Sequence, residues 1–413
     1  MRTDQALRAV ITGVGCVAPF GVGQHDFVTA MLRANVTAIG PLTNFQTAGL
    51  SSHLGAEIPA SYLPMTDEAR RWSRLGHMTV LACRQAAADA RVSAADGLRH
   101  AGLVVGSEFG DLRSTTAFSA GFLRKGPLGL SPLLFPNTVM NAMAGVTSLA
   151  LGIRGPMLTL NQAGIAGELA VVRALALLQA GRAAMVIACG VDELFPLLYE
   201  TLVELRVPSP RGGGDEACRP FDKRHNGPVL GEGATAVVLE SLAHAQARGA
   251  RILAEVRTIY WGGMAAPPGR YPVWCPAQHA QLVQALHRQG VCPAAVDLVY
   301  LAGCGDPQHD RLELAWMEAT FGSAGPSYTS VTHLTGEYGG LGTLRVAAAT
   351  ASVQQGVVPV LDYLCQPVRD DMALVRQPVT RPPTVVLIHG VARGGAQVAL
   401  LVTPLRDEDV LKD

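Results

Sequence analysis

Short apolar runs alternate along this chain with longer Ala- and Leu-rich stretches, the pattern of strands and helices stacked in layers. Residues 157–160 read as a brief strand, 161–167 as a turn of small residues, and 168–180 as a helix. In that helix only Glu168, Arg173 and Gln179 are polar, so nearly every face has to be covered. Upstream, 9–13 is a strand entering a glycine turn, 69–91 a helix, and 103–106 a buried strand with the polar exit 107–110. Downstream, 183–188 and 235–239 are strands and 242–249 a short helix. A second half then opens with a strand at 252–260 and a breaker-rich surface loop at 261–272. Helices at 277–289 and 310–321 flank a strand at 296–301, and a helix at 344–355 precedes closing strands at 384–388 and 397–403. The prediction is an α/β protein divided near residue 250, into 1–250 and 251–413.

One stretch breaks the alternation. Residues 130–145, LSPLLFPNTVMNAMAG, are too apolar for a free loop and are expected at a buried contact.

Composition narrows the function. The 413 residues carry 33 basic and 33 acidic side chains, a balance that argues against nucleic acid or a membrane surface as partner. The eight cysteines are scattered with no C-x-x-C pair, which speaks for reduced thiols and against a zinc site. No apolar run approaches the ~18 residues of a membrane span, and the N-terminus lacks an apolar signal core, so a cytoplasmic protein is expected. The glycine turn after the first strand lacks G-x-G-x-x-G, and no cofactor is expected.

The strand–elbow–helix at 157–180 has a chemical meaning. An elbow at a helix N-terminus presents one residue to free backbone N–H groups and the positive end of the dipole, where a thiol has its pKa lowered. Here the elbow offers Gly164, Ile165 and Ala166, so the position is built and the nucleophile is absent.

The segment GP-x-L-x-x-N-x-A from Gly155 resembles the active-site segment of the β-ketoacyl synthases, with the family's cysteine falling on Gly164. Residues 219–240, RPFDKRHNGPVLGEGATAVVLE, match that family almost throughout, and Val10 to Gly21 resemble its first strand and turn. The resemblance implies a thiolase-like fold of duplicated α/β/α/β/α halves. It implies a Claisen condensation that needs a cysteine and two histidines. The first histidine string aligns through Pro307, Asp310 and Glu313 and places Ala302 at the histidine. The second string places Thr332 at the lysine and Glu337 at the histidine, with one residue deleted nearby. The closing glycine-rich turn, HGVARGGA, lacks the family's aromatic.

Gly164, Ala302 and Glu337 together resemble the chain length factors, or ketosynthase β subunits, of type II polyketide synthases. Gly303 to Glu313 and Thr335 to Gly340 carry that likeness, although glutamine is common at the position of Gly164; Gln162 lies two residues away and could shift into the elbow. SPLLFPNT resembles the polyene and aryl-polyene branch. Such a subunit pairs with an active ketosynthase α subunit, receives no metal, and shapes a tunnel for a chain delivered by an acyl carrier protein. On that resemblance, Phe135, Val139, Met140 and Met143 are the candidates for closing the tunnel. Met157, Leu158, Thr159 and Leu160 would pair across the subunit interface, and Arg70, Arg71 and Arg74 would dock the carrier. An ordinary core and a solvated helix face are the rival readings of those groups. At the level of function the rivals are a malonyl-carrier decarboxylase, a scaffold with no pocket, and an enzyme with Cys304 as a relocated nucleophile. His309 and His333 lie beside the degenerate motifs.

Overall fold

The computed structural model describes residues 8–33, 36–93, 97–267, 269–273, 276–322 and 325–405. Ten strands build its core: β1 (Ala9–Ala18), β2 (Gly102–Ser107), β3 (Met157–Asn161), β4 (Met185–Asp192), β5 (Gly233–Ser241), β6 (Ala254–Gly263), β7 (Leu298–Tyr300), β8 (Ser327–Thr329), β9 (Val386–Val391) and β10 (Ala396–Thr403). They lie in the order β8-β7-β9-β10-β6-β1-β5-β4-β2-β3. Counted outward from the middle, each group of five runs first, fifth, fourth, second, third in chain order. The directions agree too: the fifth strand is antiparallel to the first and the fourth, and the second is parallel to the fourth and the third. The two groups meet where β1 pairs with β6 through Ala9, Val10 and Ile11. The duplication is therefore plain in topology, although the two sequences show none by eye.

Alternation of side chains along the strands gives the layers. Val104, Val186, Ala188, Tyr300 and Ile388 face a shared central core with helices α4 (Ala166–Gln179) and α6 (Gly342–Gln355). Leu103, Val105, Ile187 and Cys189 face an outer core with α1 (Arg74–Asp89) and α3 (Ala142–Leu151). Val299 and Leu387 face the opposite outer core with α5 (Pro307–Phe321). A sheet covered on both sides needs continuous apolar strands, and the short parallel strands of the sequence supply them.

Several elements differ from the pattern-based expectation, each for a local reason. β1 does not stop at a glycine turn but runs on to Ala18. A Cβ on Gly13 would stand 2.3 Å from the carbonyl oxygen of Ala86, and one on Gly15 2.1 Å from that of Ala82, so both glycines admit α1 against the sheet. Helix α1 begins only at Arg74, where the Ser73 hydroxyl accepts from Gly76 N–H at 3.2 Å; residues 69–71 form a separate turn. α4 starts two residues earlier than expected, and α5 starts at Pro307, capped by Asp306. Of the surface loop at 261–272, Trp261 to Gly263 extend β6 and Tyr271 is buried. Helix α2 (Leu112–Lys125) lies outside the predicted elements; it is amphipathic and is capped by Asp111, whose carboxylate accepts from Ser114 N–H at 2.9 Å.

Among the described residues no helix is long and apolar enough to cross a membrane. The seven described cysteines form no disulfide; Cys275 lies outside the described residues.

Candidate active site

The elbow forms where the sequence put it. β3 ends at Asn161, and Gln162 continues its pairing with a backbone bond to Ser107 O (3.4 Å). Gln162 thus stays with the strand, and Gly164 is the elbow residue, with φ +66°, a left-handed conformation that costs a side-chain-bearing residue strain. A Cβ there would meet Ala392 at 3.6 Å, an ordinary contact, so space alone does not exclude a larger residue.

What faces the elbow is a carboxylate. Gly164 N–H donates to Glu108 Oε2 at 3.0 Å, and Arg393 Nη2 stands 3.7 Å from Glu108 Oε1. Glu108 comes from the exit of β2, and Arg393 from the turn between β9 and β10 whose aromatic the sequence lacks. Burial pushes Glu108 up to about 7; Arg393 and the Gly164 N–H pull it down, and Asp192 and Glu337 add to the rise. Burial opposes the charge of Arg393, but Glu337 first, then Tyr271, Glu108 and Cys304, raise it above its ordinary value.

The two histidine positions are equally changed. Ala302 N–H donates to Glu313 Oε1 (2.9 Å), which is also bonded to His389 Nδ1 (2.8 Å). Glu337 is fixed through its backbone, its N–H donating to Val229 O (2.8 Å) and its carbonyl accepting from Gly231 N–H (2.9 Å). Among the described residues its buried Oε2 has no hydrogen-bond partner, and Glu337 is the acid that raises Arg393 most. Thr332 lies buried beside Ser330, 3.2 Å between hydroxyls.

One thiol does stand among imidazoles. Cys304, His309 and Asp310 place ligand atoms within 4.8 Å of one another, and His225 Nδ1 reaches Asp310 Oδ2 at 2.9 Å. The chemistry does not follow from the proximity. Burial first, then Glu337, Asp310 and Asp306, push the Cys304 thiol well above its ordinary value, the opposite of an activated nucleophile. Asp310 is also spent as a metal ligand: Oδ1 accepts from Cys304 N–H and Gly305 N–H, Oδ2 from Phe221 N–H and the His225 ring. His333 is neutral, lowered to about 4 by burial.

The other candidates fall in two places. Phe135, Val139, Met140, Met157 and Leu158 are 40–58% exposed in the single chain, as a partner-facing surface would be. Thr159 and Leu160 are half-buried, and among the described residues β3 is an edge strand paired only with β2. Met143 is 2% exposed and belongs to the outer core. Met140 and Met143 nonetheless converge on Gly110, two residues after Glu108: a Cβ there would lie 2.8 Å from Met140 Sδ and 4.0 Å from Met143 Cε. Of the three arginines, Arg70 and Arg71 are exposed, whereas Arg74 points inward to Glu232 (2.5 Å) and the Ile58 carbonyl (2.9 Å). Arg74 is thus an internal tie rather than an open docking charge, because two buried acids, Glu232 and Glu193, need its cation.

Sequence reasoning missed Glu108, Arg393 and α2. The absent aromatic in HGVARGGA marked the place of Arg393, but nothing local paired it with Glu108.

The duplicated five-strand halves, with an elbow between β3 and α4, define a thiolase-like condensing-enzyme scaffold. The chain belongs to the β-ketoacyl synthase family: residues 7–245 match its N-terminal domain and 254–362 its C-terminal domain. It is 31% identical to the oxytetracycline polyketide β-ketoacyl synthase 1 of Streptomyces rimosus over 97% of this chain and 98% of that one. It is 29% identical to the 3-oxoacyl-[acyl-carrier-protein] synthase 2 of a Synechocystis strain over 85% of this chain and 86% of that one. The ishigamide ketosynthase/chain length factor superposes with a TM-score of 0.85 at 25% identity, covering 97% and 99% of the two chains.

Proposed function

We propose that this chain is the non-catalytic, chain-length-determining partner of an active Cys-His-His ketosynthase in type II polyketide biosynthesis, in the polyene or aryl-polyene branch. The observation that carries the reading is the Glu108 carboxylate held by Gly164 N–H and flanked by Arg393. It commits the backbone donor of the elbow residue, which would otherwise be free for a substrate oxygen, to a carboxyl of the same chain. Condensation and decarboxylation both develop negative charge on an enolate oxygen, which an active site meets with donors. Here the group bonded at the elbow is the Glu108 carboxyl, with Glu337 near enough to raise it, so the site is no better suited to a malonyl-carrier decarboxylase.

The remaining surface fits a partner. The unpaired edge of β3 offers a strand-to-strand contact, and the exposed apolar residues from Phe135 to Met140 extend it. The partner's thiolate holds the growing chain, this subunit supplies the far wall near Met140, and an acyl carrier protein delivers the extender, with Arg70 and Arg71 as its contacts on this side. The likeness to a ketosynthase/chain length factor structure supports the pairing.

The test is to co-express the chain with the Cys-His-His ketosynthase encoded nearest to it. A stable heterodimer whose condensation needs the partner's cysteine is expected. Malonyl-carrier decarboxylation by the isolated chain above the buffer rate overturns the proposal.

A further inference from the structure

Resting on the pocket-shaping reading, we infer that Asp192 is the positioning residue of the tunnel wall: its carboxylate sets the 107–110 loop and so the place of Met140, from outside the apolar segment.

Asp192 ends β4 and is 2% exposed. Its Oδ1 accepts from the Ser107 hydroxyl (2.6 Å), Glu108 N–H (2.9 Å) and Phe109 N–H (3.1 Å). Its Oδ2 accepts from Gly340 N–H at 2.8 Å. One buried carboxylate thus ties the exit of β2 to the segment that precedes α6. The chain of contacts continues outward. Ser107 Oγ, while donating to Asp192, accepts from Gly110 N–H at 2.9 Å. Gly110 is left-handed, φ +64°, and has no side chain, which is what lets Met140 Cε and Sδ lie where its Cβ would be, 2.8 Å away. The line Asp192–Ser107–Gly110–Met140 therefore joins a buried hub to the half-exposed methionine. The loop it holds also carries Glu108 to the elbow. Gly339 makes room for the arrangement, since a Cβ there would lie 2.4 Å from Glu108 Cβ and 3.0 Å from Asp192 Oδ2.

A carboxylate suits this role better than its amide. The four donors that meet it are N–H and O–H groups, and an ionised acid accepts from all of them. In Asp192→Asn one oxygen keeps the loop bonds while the new NH2 opposes Gly340 N–H, or the flipped amide opposes the loop.

The experiment uses the heterodimer with the co-purifying ketosynthase, malonyl-loaded carrier protein, and product lengths read by mass spectrometry. Four subunits are compared: wild type, Asp192→Asn, Met140→Ala and the double variant. The inference expects Asp192→Asn to change the ratio of adjacent chain lengths by roughly tenfold, the effect of losing one charge-assisted hydrogen bond. It also expects the double variant to fall short of the product of the two single effects, because both act through Gly110. A loss of packing alone would change stability without this coupling. Should Asp192→Asn fail to assemble, Ser107→Ala breaks the same line at its middle and is expected to shift the ratio in the same direction. Product lengths moved by Met140→Ala but not by Asp192→Asn or Ser107→Ala, or strictly multiplicative effects, overturn the inference and leave the pocket reading standing. Lengths moved by none of the variants remove both.

Discussion

The backbone N–H of Gly164 donates to the side chain of Glu108, 56 residues away, at 3.0 Å. That bond commits the elbow's backbone donor to a carboxyl of the same chain. Restoring the missing thiol is therefore not enough. In Gly164→Cys the new side chain takes a strained φ of +66° with its Cβ against Ala392, while the N–H of the same residue stays committed to Glu108. The positions of the two assisting imidazoles still read Ala302 and Glu337. The expected outcome is no condensation from malonyl- and acyl-loaded carrier protein with Gly164→Cys, or with Gly164→Cys combined with Glu108→Gly. Product from either variant would show that the scaffold retains more machinery than these residues provide.

The same carboxylate gives a pH signature. Burial raises Glu108 to about 7, so between the ordinary carboxylate range and that value the folded chain binds more protons than the unfolded one. Unfolding then releases protons, and stability falls as pH rises through this window. Asp192, raised to about 6, and Glu193, raised to about 7, have the same sign. In Glu108→Gln the contribution of Glu108 is gone. Thermal melts from pH 5 to 8 should show wild type losing stability relative to Glu108→Gln as pH increases. A difference that is flat, or that grows in favour of wild type, contradicts the burial-driven shift.

A second buried pair holds the halves together. Glu168 of α4 and Arg345 of α6 form an ion pair with both side chains at most 2% exposed, within the two helices of the central core. Gly342 and Gly390 leave the space for that carboxylate, since a Cβ on either would lie within 3 Å of it. Removing one partner leaves a buried charge unanswered. Arg345→Met should cost about 3–5 kcal/mol, and Glu168→Leu with Arg345→Met should recover most of it. Chemical denaturation of the two variants checks this; equal losses in single and double variants would mean that packing, not charge, dominates.

The contrast between these residues explains what the sequence could reveal. The first part of the strand Met185–Asp192 and most of the helix Ala166–Gln179 were legible because burial on both faces forces unbroken apolar runs; the strand's last residues, from Gly190, read instead as a turn. The turn at Gly164 was legible because a short apolar strand, small residues and an apolar helix follow one another there. The glycines of β1 were misread because a turn and a close helix–strand contact ask for the same residue. Glu108 and Arg393 were not legible, since 285 positions separate them and only the fold brings them to 3.7 Å. Arg74 failed as a docking charge for the same reason: its partners Glu193 and Glu232 are remote in sequence.

Met140 and Met143 were expected to act alike, and their burial now separates them. Met140 is 40% exposed with its thioether against Gly110, whereas Met143 is 2% exposed in the outer core. Met143→Ala should cost about 2–5 kcal/mol by leaving a cavity, which confounds any reading of product length. Met140→Ala should leave the subunit near wild-type stability and lengthen the product, and Met140→Phe should shorten it. Product analysis of heterodimers carrying each variant, beside their melting curves, tests the assignment. An unchanged distribution for both Met140 variants removes this residue from the wall.

The edge of β3 offers the sharpest test of assembly. The strand pairs with β2 on one side only, and Met157 and Leu158 are each 40% exposed. An apolar, unpaired edge of five residues is a liability in a lone chain and an asset in a dimer, where a second strand satisfies its backbone groups. Leu158→Lys adds a charge at that edge. In the isolated chain the substitution touches a partly exposed position and should change stability by less than about 0.5 kcal/mol. At a desolvated subunit contact the same charge has no partner, and binding should weaken by at least about 2 kcal/mol, roughly thirtyfold in Kd. Gel filtration of the variant mixed with the Cys-bearing ketosynthase, against a wild-type mixture, separates the outcomes. A shift from heterodimer to separate chains with an unchanged melting curve is expected. Undiminished assembly would place the partner on another face and detach β3 from the proposed function.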